Sequence, residues 1–189
     1  MVAALPAALQ GKRLRHLYVN GVRANRTRTN ATRFGLTYSG SPGGDMGYTA
    51  VTNLTGWATN NPEDIEFVYS SVGANWGEAR CAVESVSGST IVMQQPCMWN
   101  LYHRPYQPAL GTPPPFVDNI KTELRAPGTV YFDRAGGQVF YVPLPGQDLA
   151  KDAAVVAVEE ALVVHNGTAQ HSWHGVTFEF ATWFRPMQG

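Results

Sequence analysis

Cleavage of a glycosidic bond commonly needs two carboxylates facing one bond, about 5 to 10 Å apart. The acids that could supply such a pair are Glu63, Asp64, Glu66, Asp133, Asp148, Glu159, Glu160 and Glu179. Glu66 and Glu179 fall at outward positions of predicted strands, where a solvated face is the simpler reading. Asp133 sits in a turn and is expected to pair with Arg134 or to accept turn hydrogen bonds. Glu159 and Glu160 are adjacent, so on a strand they point to opposite faces and cannot form a dyad. No two acids have a spacing that implies a shared cleft.

Metal and nucleophile chemistry are less supported. His165, His171 and His174 cluster in "HNGTAQHSWHG", but the set lacks a nearby Cys, and the acids are not spaced like a recognised site. A loop of solvated histidines is favoured, with no metal and no cofactor expected. There is no G-x-S-x-G elbow, phosphate-cradling glycine loop or C-x-x-C pair. Sugar binding is the better reading of the aromatics. Trp99, Tyr102, His103 and Tyr106 crowd one proline-rich stretch, and Trp173 and Trp183 flank the last predicted strand. Ring faces stack on sugar C–H groups, and proline reduces the ordering cost of binding. For Trp99, beside Cys97, packing is favoured; for Tyr102, His103 and Tyr106 packing and binding both stay open. Trp76 and Arg80 in "NWGEARC" are expected to form a structural cation–π pair.

Composition narrows the partner. The chain has 189 residues, 15% of them charged, and a formal net charge of zero. One domain, or one and a half, fits that length. No basic field exists to hold a polyanion such as nucleic acid. No apolar run reaches the roughly 20 residues of a bilayer span. "MVAALPAALQGKR" lacks a basic start and is interrupted by Pro6, so it reads poorly as a signal peptide. Export is nonetheless suggested by four sequons, at Asn25, Asn30, Asn53 and Asn166, which matter only in a eukaryotic source. It is suggested more by Cys81 and Cys97, equidistant from Ser89 between two β-type runs. A hairpin folded at Ser89 would bring the sulfurs together as a disulfide, two buried thiols being the alternative. A bridge implies an oxidising compartment.

The elements that must position these residues are almost wholly β. Asn20-Gly21 is a hairpin turn in "HLYVNGVRANRTR", and residues 39–47 are loop. "DIEFVYSS" alternates inward Ile65, Phe67 and Tyr69 with Glu66, Val68 and Ser70. The stretch from Met98 to Asn119 reads as a long loop. "GTVYFDRAGGQVFYVPLPGQDL" is a hairpin about Gly136-Gly137. "HGVTFEFATW" reads as a strand. Residues 148–167 are ambiguous: acidic at the start and Asn-Gly at the end like a capped helix, but rich in valine. Strands at short intervals suggest a sandwich or barrel.

Taken in order, "LYVNGVRANRTR", "PEDIEFVYSS", "ARCAVESVSGSTIVMQQPC", "GTVYFDRAGGQVFYVPLPGQDL", "VVAVEEALVV" and "HGVTFEFATW" resemble the secreted right-handed parallel β-helix proteins of the carbohydrate-active kind. These include relatives of β-helical α-galactosidases and β-xylosidases and are pectate-lyase-like in scaffold. The resemblance implies an all-β fold: an N-terminal segment 1–10, a β-sandwich or barrel insert over 11–147, and from 148 to 189 the first coils of the β-helix. It resolves "VVAVEEALVV" as coil strands and "VTFEF" as the next stacked strand. It also implies an extracellular or cell-surface fragment of a longer protein that acts on oligo- or polysaccharide. The parent is expected to be a glycoside hydrolase, with a polysaccharide lyase next. The catalytic acids of such enzymes lie on later coils, so no catalytic residue is assigned here. A non-catalytic carbohydrate-binding or adhesion protein on the same scaffold is the alternative.

Overall fold

The computed structural model describes residues 1–40, 46–54, 56–57, 61–70, 78–103, 109, 111–167 and 170–184. The chain is predominantly β. Its first strands are β1 (Val2–Ala4), β2 (Leu17–Val19), β3 (Val22–Arg23), β4 (Asn25–Arg26) and β5 (Arg28–Asn30). There follow β6 (Thr37–Gly40), β7 (Met46–Thr49), β8 (Glu66–Ser70), β9 (Glu78–Ser87) and β10 (Thr90–Met93). Helix α1 (Cys97–His103) precedes β11 (Phe116–Asp118), β12 (Thr129–Asp133), β13 (Gln138–Tyr141) and β14 (Ala154–Val156).

These strands make three open sheets. Seven strands run in the order β5-β11-β8-β9-β10-β7-β6, four as β1-β13-β12-β4, and three as β14-β2-β3. Among the described residues no sheet closes into a barrel. Neighbours are antiparallel except β12 and β4, which are parallel. The hairpins expected at Asn20-Gly21 and Gly136-Gly137 form. Asn20 and Gly21 adopt φ 50° and 77°, the left-handed pair that matches strand twist. Gln138 pairs with Asp133 across the second turn.

Two apolar clusters hold the sheets. The larger gathers Tyr48, Phe67, Tyr69, Val83, Met93 and Met98 against the seven-stranded sheet. The smaller joins Leu5, Leu17, Val19, Val130, Phe132 and Tyr141. β10 and β7 approach so closely that a Cβ on Gly47 would meet the Ile91 carbonyl oxygen at 1.9 Å. Only glycine fits there.

The disulfide between Cys81 and Cys97 is present, with Cα atoms 5.5 Å apart. Its route differs from the one expected. Ser87 pairs with Thr90, so the turn is centred between Gly88 and Ser89 and the two cysteines are not in register. β10 ends at Met93, and Cys97 opens α1. The bridge therefore joins strand to helix, not strand to strand. That helix also replaces the first part of the expected loop: from Met98 to His103 the aromatic stretch is helical, with Gln95 Oε1 accepting the Trp99 N–H at 3.0 Å.

The C-terminal stretch departs most from expectation. β14 is the one strand after β13 among the described residues, and it pairs antiparallel with β2. Val176–Phe180 is not a strand, and Phe180 takes φ 67°, a left-handed value that interrupts extended backbone. Among the described residues no neighbour offers a ladder of carbonyls to the segment, and alternation without a partner does not make a strand. The capped-helix alternative over 151–164 does not form either.

Candidate functional site

Side chains two apart on a strand share a face, and residues in cross-strand register share it between strands. Arg28 is in register with Asp118, Asp118 with Glu66, and Glu66 with Ala82. Arg80, two before Ala82, projects from the same face. A row of charge thus crosses β5, β11, β8 and β9. The sequence alternation placed Glu66 opposite Phe67 and Tyr69, as it is, but the face is not solvated. Glu66 is fully buried, because the segment before β2 and strand β4 lie over it. Those bring arginines.

Arg15 Nη1 donates a short hydrogen bond to Glu66 Oε1. Arg26 Nη1 is 2.8 Å from the same oxygen, and Arg13 and Arg80 approach the carboxylate at 3.5 Å. Asp118 receives Arg28 Nε and Nη2 at 2.7 and 3.0 Å in a bidentate fork, plus Arg80 Nη1 at 2.8 Å. Burial alone pushes the Glu66 carboxyl up, but Arg26, Arg15 and Arg13 outweigh it and hold it down at about 2. Burial, then Arg26, pulls Arg15 down to about 10, so it is still charged at neutral pH. Burial with Arg23 and Arg15 also lowers His16, which favours the neutral ring.

Above this network opens a cleft of about 680 Å³, bordered by Arg15, His16, Arg23, Arg28, Glu78 and Trp183 among others. The C-terminal stretch forms its far side. Ala157 N donates to His16 O at 3.1 Å, and Tyr18 Oη donates to Ala181 O at 3.2 Å. Trp183, half exposed, lies over the Arg15 guanidinium with 5.7 Å between carbon and ring centroid.

The aromatics singled out from the sequence do not converge. Trp99 and His103 meet on α1, rings stacked 3.5 Å apart at 12°, with Nδ1 of His103 2.8 Å from Trp99 O. Both are exposed. Tyr102 points the other way, into the core. Its hydroxyl lies 2.9 Å from that of Tyr48, which lies 2.7 Å from that of Tyr69, and it donates to Thr112 O at 2.8 Å. Burial raises all three phenols, so they are neutral, and Tyr102 has no face left for a ligand. Tyr106, and the Trp76 expected over Arg80, lie outside the described residues. Trp183 belongs to the arginine cleft. Of the sequon asparagines, Asn25 borders that cleft, Asn30 accepts the Thr32 N–H at 3.0 Å, and Asn53 and Asn166 are exposed.

Glu63 and Asp64 are held together by one guanidinium. Arg134 bonds Glu63 and, at 3.0 Å, Asp64, instead of the expected Asp133. Burial pushes Glu63 up, but its own backbone N–H and Arg134 bring it below the ordinary value. In Asp64 burial prevails over Arg134 and Arg13 and the shift is upward. Asp133 accepts the Gly136 N–H at 2.9 Å, the turn bond expected of it. Asp148 accepts the Ala150 N–H at 3.1 Å, and Glu160 the Phe184 N–H at 2.6 Å. Glu179 is exposed, as expected. His165 and His171 meet edge to face at 4.2 Å; among the described residues no group of three metal-ligating side chains forms.

Sequence reasoning passed over Asp118, Glu78 and the cleft arginines other than Arg80, which it had set against Trp76. A signal was there: six arginines fall between positions 13 and 33, Arg26 and Arg28 at strand spacing. No helix among the described residues is long and apolar enough to cross a membrane. No family model matches the chain, and no curated protein matches it. Among solved structures it is similar to one titled "Glycoside hydrolase", with TM-score 0.53 and 23% identity over 84% of this chain. The chain spans 29% of that structure's length, and at this identity the likeness is one of fold.

Proposed function

We propose that this chain is part of a longer, extracellular, carbohydrate-active protein whose parent is a glycoside hydrolase, and that the chain itself is non-catalytic. Residues 11–147 form its sandwich-like unit, and the stretch from 148 onward begins the coils of a parallel β-helix once further coils lie beside it. The observation that carries the reading is the fold likeness to a glycoside hydrolase of which this chain spans 29%. The Cys81–Cys97 bridge fits an oxidising compartment.

The geometry argues against turnover within the chain. A glycosidase acid must hold a proton near neutral pH. Glu66, at about 2, cannot, and Asp118 is clamped by two arginines. Among the described carboxylates Asp64 alone is shifted upward, but Arg134 and Arg13 hold it in an ion-pair cluster. What the surface offers is binding: the stacked Trp99–His103 pair and the rim at Trp183. Assaying the purified chain and the full reading frame on a panel of aryl glycosides tests this. Turnover is expected from the longer protein alone. Turnover by the chain, abolished by Glu66→Ala or Asp133→Ala, would overturn the proposal.

A further inference from the structure

We propose that the arginine cleft is a subsite for an acidic sugar, holding the carboxylate of a uronate unit with its ring against Trp183. The inference deepens the carbohydrate reading and rests on it.

Charge is the first argument. Five arginines border the cleft (Arg15, Arg23, Arg26, Arg28 and Arg80), against Glu78 and Asp118 at its wall and Glu66 beneath. Two positive charges are in excess. Arg23 is exposed and, among the described residues, makes no ion pair. A purely structural network would balance its charges, since each uncompensated one raises the energy of its neighbours.

Unused hydrogen-bonding capacity is the second. The Arg23 guanidinium, exposed at the rim, makes no hydrogen bond or ion pair among the described residues. Guanidinium nitrogens suit a planar carboxylate, which accepts two parallel bonds from one fork.

Shape and chemistry of the rim are the third. A volume of about 680 Å³ lies within the roughly 300–1,000 Å³ of small-molecule sites. Trp183 supplies an apolar face 48% exposed, and Asn25 and Thr129 add short polar groups. A bare inorganic anion would have no use for the indole. A neutral sugar would leave the excess charge unanswered.

Titration calorimetry with a galacturonate trimer, its fully methyl-esterified form and a neutral xylose trimer tests the assignment. The acid form is expected to bind at least about 10-fold more tightly than the ester, the difference shrinking as salt is raised. Arg23→Gln should weaken the acid form about 5-fold and leave the ester unchanged. Since Arg23 is exposed, this variant should keep the wild-type near-ultraviolet spectrum. Trp183→Ala should weaken both forms. Equal binding of acid and ester would overturn the uronate subsite while leaving a carbohydrate-binding chain. Acid binding untouched by both variants would place the site elsewhere and overturn it too. Displacement of the acid by inorganic sulfate, without any effect of Trp183→Ala, would reduce the cleft to a simple anion site. Binding of none of the three saccharides would overturn the subsite and leave the chain without a sugar role, whatever the longer protein hydrolyses.

Discussion

Ile65–Tyr69 and Val176–Phe180 both set large apolar residues at alternate positions, and they meet opposite fates. Phe67 is fully buried on an inner strand of a seven-stranded sheet, between β11 and β9; Phe178 is 46% exposed in a stretch without strand pairing. The difference lies in the neighbours. β8 has a ladder on each side, a disulfide anchoring β9, and a charge row that fixes its outer face. The C-terminal stretch has a few backbone bonds to β2 and its flanks. A strand is therefore a property of a pair, and the molecule divides into a part that has its partners and a part that lacks them.

The charge row should give the largest effect. Glu66→Ala leaves Arg15, Arg26, Arg13 and Arg80 facing one another without their shared counter-charge. Removing one partner from a buried network typically destabilises by about 3–5 kcal/mol. Urea denaturation should show this as a lower midpoint. A loss under about 1 kcal/mol would mean that the outer face of β8 is held by apolar contacts alone, and the contrast between the regions would be one of packing only.

The disulfide comes next. It closes a loop with a sequence separation of 16, for which chain entropy gives roughly 3 kcal/mol. The Cys81→Ala/Cys97→Ala double variant should lose about that much and still fold, since Phe67, Val83 and Met93 pack without it. Free α1 in that variant should expose Trp99 further, read as a red shift of its emission. An unchanged midpoint would show that α1 is held by Met98 and Tyr102 in the core.

How much of this the residues disclosed follows the same division. Asn20-Gly21 and Gly136-Gly137 announced their hairpins because a turn is a local choice of φ. The pairing of Cys81 with Cys97 was legible, its path was not: the hairpin is centred half a residue away from Ser89, and the bulge at Val92–Met93 and the helix after it make up the difference. Glu66 was assigned to the right face and the wrong environment. Alternation tells which residues share a face, but not what covers that face. Arg13, Arg15 and Arg26 come from segments about 40 to 50 positions earlier, and a window of ten residues cannot see them. The candidate cleft was invisible for the same reason, being made wholly of such long-range meetings, while Tyr102 stayed open between packing and binding because its hydroxyl partners Tyr48 and Thr112 lie in other elements.

Acid titration sharpens the comparison further. The folded Glu66 carboxyl titrates near 2 against an ordinary 4.5. A depressed carboxylate adds stability that is fully present above the ordinary value and is lost as pH falls toward the folded one. The wild type should therefore lose stability steeply between pH 4.5 and 2. Glu66→Gln, less stable at neutral pH, should show a flatter acid limb. Parallel limbs would assign the acid sensitivity to other carboxylates, Glu63 first, since it too lies below its ordinary value.

The smallest effect is expected at the far end. Phe178 touches Trp173 edge to face at 5.5 Å, and both rings are exposed. Phe178→Ser removes apolar surface that already faces water, so the change in stability of this chain should stay within about 0.5 kcal/mol. It should also raise solubility, because an unpaired apolar stretch invites association between copies. In the longer protein proposed above, adjoining coils would cover the ring. There the same substitution should cost about 3 kcal/mol, the range for emptying a buried aromatic site. The two measurements together test whether the C-terminal stretch acquires its partners from the rest of the protein. A cost as small in the longer protein as in this chain would mean that Phe178 is a surface residue in both. The alternation of Val176–Phe180 would then be unrelated to any stacked strand.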